Sequence, residues 1–66
     1  MIIKLNSEDY AVKGAKTVKE LLDELDIQMN RVAVELNLKV IKKADLLLTQ
    51  IQDGDTVEIV NFVGGG

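Results

Sequence analysis

The sequence predicts an α+β fold, a small mixed β-sheet with one helix packed across a face. Three observations predict it. Thr17-Val18-Lys19-Glu20 has the form of a helix-opening capping box. The segments before and after that helix alternate apolar and polar residues, the period of a half-buried strand. Two such segments precede the helix and three follow it, giving the order β-β-α-β-β-β.

Ile3 and Leu5 alternate with Lys4 and Asn6, which reads as a first strand. Asn6-Ser7-Glu8-Asp9 is rich in turn formers, and Tyr10-Ala11-Val12-Lys13 follows as a second short strand. Proximity makes these two a hairpin. Thr17 is placed to accept from the Glu20 amide while the Glu20 side chain reaches back. Val18, Leu21, Leu22 and Leu25 then recur at helical spacing, so the spacing predicts an amphipathic helix of about ten residues. Its leucine stripe is core packing, and Lys19, Asp23, Glu24 and Asp26 fall on its solvent side.

Arg31 to Leu36 is a third strand with Val32, Val34 and Leu36 on one face. Asn37-Leu38 suits a turn, and Val40-Ile41 a very short fourth strand. Lys43 to Thr49 is ambiguous, because Leu46-Leu47-Leu48 fits either a helical turn or an irregular apolar plug. Gln52-Asp53-Gly54-Asp55 carries an Asp-Gly turn signal; two carboxylates and a glycine fall well short of a calcium loop. Thr56 to Val63 is the last strand. Val57 and Ile59 face one way, and Glu58, Val60 and Phe62 the other.

The helix stripe needs an apolar partner, which the inward residues of the strands supply. Placing the last strand at the centre, parallel to the first, accounts for the apolar density of both. This is a β-grasp, or ubiquitin-like, arrangement. Residues 1–63 form the domain and residues 64–66 a glycine tail.

Sixty-six residues allow one domain with a marginal core, burying about 60% of the unfolded surface. The chain has no Cys and no His, which excludes disulfides and zinc-finger sites. A net charge of −3 with scattered basic residues, and aromatics limited to one Tyr and one Phe, argues against nucleic-acid binding. A mildly acidic domain suits a basic protein partner. No apolar run approaches the roughly 18 residues of a membrane span, and no signal region opens the chain. A cytoplasmic location is expected.

The sequence closes on Phe62-Val63-Gly64-Gly65-Gly66. Bare glycines after an apolar strand leave a carboxylate that can be threaded into another enzyme, although a frayed tail has the same composition. Three blocks decide between these readings: Thr17 to Leu22, Val32 to Asn37, and above all Asp53-Gly54-Asp55-Thr56-Val57-Glu58-Ile59-Val60-Asn61-Phe62-Val63-Gly64-Gly65-Gly66. Over these residues the chain resembles the ThiS family of small sulfur carrier proteins of thiamine biosynthesis. It departs from that family at Ile41-Lys42-Lys43-Ala44-Asp45-Leu46, where a proline and an aromatic are missing.

The resemblance implies a protein cosubstrate, not an enzyme, with no bound cofactor. A ThiF-like, ubiquitin-activating-like enzyme would use ATP and magnesium to adenylate the Gly66 carboxylate. A sulfur donor of the cysteine desulfurase type would convert it to a thiocarboxylate, and a ThiG-like thiazole synthase would receive the sulfur. Gly64 and Gly65 would thread the tail, while Glu58, Val60 and Phe62 would form a partner interface beside it. A carrier for molybdopterin or another sulfur pathway, a ubiquitin-like protein modifier and a passive interaction module remain open alternatives.

Overall fold

Five strands among the described residues form one sheet in the order β2-β1-β5-β3-β4. They are β1 (Ile2–Leu5), β2 (Glu8–Ala11), β3 (Val32–Leu36), β4 (Lys39–Ile41) and β5 (Thr56–Asn61). Among the described residues one α-helix, α1 (Val18–Glu24), lies between the hairpins, and short 3-10 turns cover Met29–Arg31 and Lys43–Asp45. The structure is a computed structural model that describes residues 1–61. Phe62, Gly64, Gly65 and Gly66, and the predicted boundary between domain and tail, lie outside the described residues.

The sheet is mixed, as the sequence predicts. β5 runs parallel to β1 through Lys4 opposite Thr56 and Leu5 opposite Val57. It runs antiparallel to β3 from Val32 opposite Asn61 to Leu36 opposite Val57. β2 and β4 close the two edges as antiparallel hairpin partners of β1 and β3. The second strand starts earlier than predicted, at Glu8 instead of Tyr10. The reason is turn geometry. Asn6 and Ser7, at φ 48° and 74°, complete the reversal alone, as in a two-residue primed turn. Glu8 and Asp9 are thereby free to pair with Leu5 and Lys4. Asn37 and Leu38 build the same device between β3 and β4, at φ 52° and 71°. Asn tolerates that region, but Leu38 holds it as an exposed apolar side chain.

The helix is shorter than predicted because Leu25 caps it and Asp26 enters the left-handed region at φ 60°. Asp26 N–H donates to the Asp23 carbonyl, and Ile27 N–H to the Leu22 carbonyl at 2.8 Å, the two bonds of a Schellman ending. At the other end the capping box is complete. The Glu20 amide donates to Thr17 Oγ1 at 3.2 Å, and the Thr17 amide to Glu20 Oε1 at 3.3 Å. The amides between them are met by a different segment. Val18 N–H donates to the Thr49 carbonyl at 2.9 Å and Lys19 N–H to the Leu46 carbonyl at 3.0 Å. Every orphan donor of the first turn therefore has a partner.

That pairing settles the ambiguous stretch. Residues 46–49 continue the 3-10 turn as a helical turn, with the Leu48 and Thr49 amides both donating to the Asp45 carbonyl at 3.0 and 2.9 Å, and its Leu46 side chain plugs the core beside the helix N-terminus. Leu46 is buried at 1% exposure, while Leu47 and Leu48 are exposed. The core gathers Ile3, Val18, Leu21, Leu22, Val32, Val34, Leu46, Ile51 and Val57 between the helix and one sheet face. Among the described residues no element covers the other sheet face.

Candidate functional site

The candidate site is the end of β5 and the open sheet face around it. β5 is held from both sides by asparagine side chains in left-handed turns. On the β1 side, Asn6 Oδ1 accepts from the Ile59 amide at 2.7 Å and Asn6 Nδ2 donates to the Ile59 carbonyl at 3.2 Å. On the β3 side, Asn37 Oδ1 accepts from the Thr56 amide at 2.9 Å and Nδ2 donates to Asp55 Oδ1 at 3.0 Å. The turn before the strand is equally fixed. Ile2 N–H donates to Asp53 Oδ1 at 2.8 Å, Gln52 N–H donates to Asp55 Oδ2 at 2.7 Å, and Gly54 sits at φ 88°. Both carboxylates of this loop are thus occupied as turn acceptors, in line with the turn reading.

Alternation along β5 divides its side chains as the sequence predicts. Val57 is fully buried and Ile59 packs against the core. Glu58 is half-buried on the opposite face, and Val60 is 55% exposed there. Phe62, the third predicted interface residue, and Gly64, Gly65 and Gly66 lie outside the described residues.

The structure adds residues that sequence reasoning did not place here. Glu35 of β3 stands directly opposite Glu58, and Ala33 opposite Val60. Val40 of β4 stands opposite Glu35 and is 68% exposed. Directly opposed side chains of a sheet share a face, with Cβ atoms about 5 Å apart. The open face therefore carries two adjacent carboxylates bordered by valines. The signal was the strand period itself, since Glu35 is the outward residue between inward Val34 and Leu36. Only the β3–β5 register brings it to Glu58. Where β5 ends, a groove lined by Asp26, Ile27, Gln28, Arg31, Val32 and Asn61 opens beside the strand.

One helix acid leaves the solvent role the sequence assigns it. Glu24 Oε2 accepts from the Tyr10 hydroxyl and from the Lys13 amide at 2.8 Å. Its Oε1 accepts from the amides of Gly14 and Ala15, each at 3.2 Å. The Tyr10 hydrogen bond and then these amides hold its carboxyl down to about 2, and the same contact raises the Tyr10 phenol. Glu24 is a clasp between the β2–α1 connection and the helix, on the side away from the open face.

Among the described residues no group of three or more acidic, His or Cys side chains is placed to hold a metal ion. No helix among them is long and apolar enough to cross a membrane. The open face presents the paired carboxylates of Glu35 and Glu58 beside the exposed Val40 and Val60.

Comparison with known proteins agrees with this geometry. The ThiS family model matches residues 3–66. The sulfur carrier protein ThiS of Thermus thermophilus is 35% identical over 65 residues, covering 98% of this chain and all of that protein. The crystal structure of the thiamine biosynthesis protein ThiS from Geobacter metallireducens superposes with a TM-score of 0.85 at 39% identity, each chain covered completely. A thiazole synthase of Paramagnetospirillum magneticum is 39% identical over 66 residues, and this chain spans 20% of its length. The β-grasp sheet, the β5 strand and a match running through Gly66 establish that the chain belongs to the ThiS family.

Proposed function

We propose that the protein is a sulfur carrier of thiamine biosynthesis, with the Gly66 carboxylate as the group that carries sulfur. The observation that carries the reading is the family match, which runs through Gly66. Asn6 and Asn37 pin β5, the last described element before the glycines in sequence. Three glycines then extend at most about 10 Å, enough to enter a narrow active site while the body stays outside.

The chemistry proceeds in balanced steps on a ThiF-like adenylating partner in the cytoplasm, which uses ATP and magnesium. The Gly66 carboxylate oxygen attacks the α-phosphorus of ATP and pyrophosphate leaves, giving an acyl-adenylate. The terminal sulfur of a persulfide, of cysteine desulfurase origin, adds to the carbonyl carbon and AMP leaves. A thiolate then cleaves the sulfur–sulfur bond, releasing the thiocarboxylate. A thiazole synthase is the proposed acceptor. A relative named thiazole synthase contains a segment similar to this whole chain, which supports that pairing. The carrier itself holds no Cys or His to act as nucleophile or base.

Glycine is needed because adenylation and sulfur attack both crowd the carbonyl carbon, where a Cβ would obstruct approach. Gly65→Ala and Gly66→Ala are expected to keep the wild-type melting temperature and to slow pyrophosphate release by at least about tenfold. Unchanged kinetics with the purified partner would remove Gly66 as the reactive end.

A further inference from the structure

We propose that the open sheet face docks an arginine of the adenylating partner between Glu35 and Glu58, with Val40, Val60 and Ala33 as its apolar walls. The inference rests on the carrier reading and deepens it by naming the chemistry of the partner's contact.

The juxtaposition comes from register. Glu35 and Glu58 are directly opposed on β3 and β5, in the interior of the sheet, and both are half-buried. Like charges so placed destabilise a free sheet. A neighbouring cation would relieve them, and Lys4 on the same face is engaged elsewhere. Lys4 stands opposite Thr56 on β1, and its ammonium pairs with Asp9 at 2.8 Å, toward the far edge. Among the described residues neither glutamate takes part in an ion pair.

The surroundings select the occupant. Val40 at 68% exposure stands across from Glu35, Val60 at 55% lies two residues along β5 from Glu58, and Ala33 leaves a low step opposite Val60. Apolar walls lower the local dielectric and strengthen a charge-assisted hydrogen bond once the partner excludes water. A guanidinium presents five donors in a plane and bridges two carboxylates, whereas an ammonium offers a point charge. Its flat faces also suit packing between valines. The chain's net charge of −3 favours approach of a basic surface.

The test is steady-state adenylation kinetics with the adenylating enzyme encoded in the same genome. Glu35→Gln and Glu58→Gln should each raise the KM for the carrier by about 3- to 10-fold with kcat unchanged. Because both carboxylates hold one cation, the double variant should fall short of the product of the two effects. Added NaCl should raise the wild-type KM and leave the double variant nearly flat. Val60→Ala should raise KM and keep the wild-type salt dependence. Each glutamine variant should melt about 1–3 °C higher than wild type, because like-charge repulsion is removed, so the loss is not unfolding. Wild-type turnover with unchanged KM in both glutamine variants overturns the docking site and leaves the carrier reading standing. A dimer of the free chain dispersed by the same substitutions also overturns it, by giving the face to a second copy. Absence of any wild-type turnover overturns the carrier reading, and the docking site with it.

Discussion

The side chain of Asn6 pairs with both backbone groups of Ile59, accepting its N–H at 2.7 Å and donating to its carbonyl at 3.2 Å. One side chain thus replaces a missing rung of β1, which turns away after Leu5 while β5 continues to Asn61. Asn6 performs this from a left-handed turn position that asparagine tolerates. Asn6→Gly keeps the turn conformation and loses both bonds, so it isolates the clamp. It is expected to cost about 1–2 kcal/mol, and amide hydrogen exchange at Ile59 should accelerate more than at Val34. Equal protection in the variant would show that β3 alone fixes this end of β5.

Glu24 makes the fold sensitive to acid. Its carboxyl is held down to about 2, well below the ordinary 4.5, by the Tyr10 hydroxyl and the amides of Lys13, Gly14 and Ala15. A depressed carboxylate contributes stability that is present above its unfolded value and lost as pH falls through the folded one. Glu24→Gln should therefore melt below wild type at neutral pH. The gap should narrow between about pH 4.5 and pH 2, a trend read from melting temperatures across that range. A gap independent of pH would mean the clasp acts by shape alone.

Three consecutive leucines separate structural from surface roles. Leu46 is 1% exposed and supplies the carbonyl that receives the Lys19 amide, while Leu47 and Leu48 are 60% and 77% exposed. Leu46→Ala should cost about 2–5 kcal/mol. That is a large part of the roughly 3–10 kcal/mol expected of a domain this size. Leu47→Ala and Leu48→Ala should stay within about 0.5 kcal/mol of wild type. Urea unfolding of the three variants distinguishes the plug from a uniformly loose loop.

Asp26 ends the helix where glycine is usually found. It sits at φ 60° and places a negative charge at the negative end of the helix. Asp26→Gly should raise stability by about 0.5–1 kcal/mol, or roughly 2–8 °C in melting temperature. A lower melting temperature would show that the Asp26 side chain contributes a contact that outweighs its backbone cost.

The periodic parts of the fold were legible in the sequence because each obeys a local rule. The capping box at Thr17 and Glu20, the Val18-Leu21-Leu22 stripe and the Val57/Glu58 alternation all state their geometry within a few residues. The parallel pairing of β1 and β5 followed from apolar density at both ends. Residues whose role depends on partners far along the chain stayed hidden. Glu24 looks solvent-facing by helical phase, yet the path of residues 13–15 brings three amides to it. Asn6 reads as a turn former, and nothing local connects it to Ile59. Glu35 meets Glu58 only through the register of β3 against β5.

The most direct test of the central claim is intact-mass measurement of the carrier after incubation with its adenylating enzyme, ATP, magnesium and a persulfide donor. The account predicts a mass gain equal to the replacement of one oxygen by sulfur, confined to the C-terminal peptide that ends at Gly66 and abolished when ATP is withheld. An unmodified chain in the presence of a partner shown to be active, or high-mass conjugates to other proteins in its place, would contradict it.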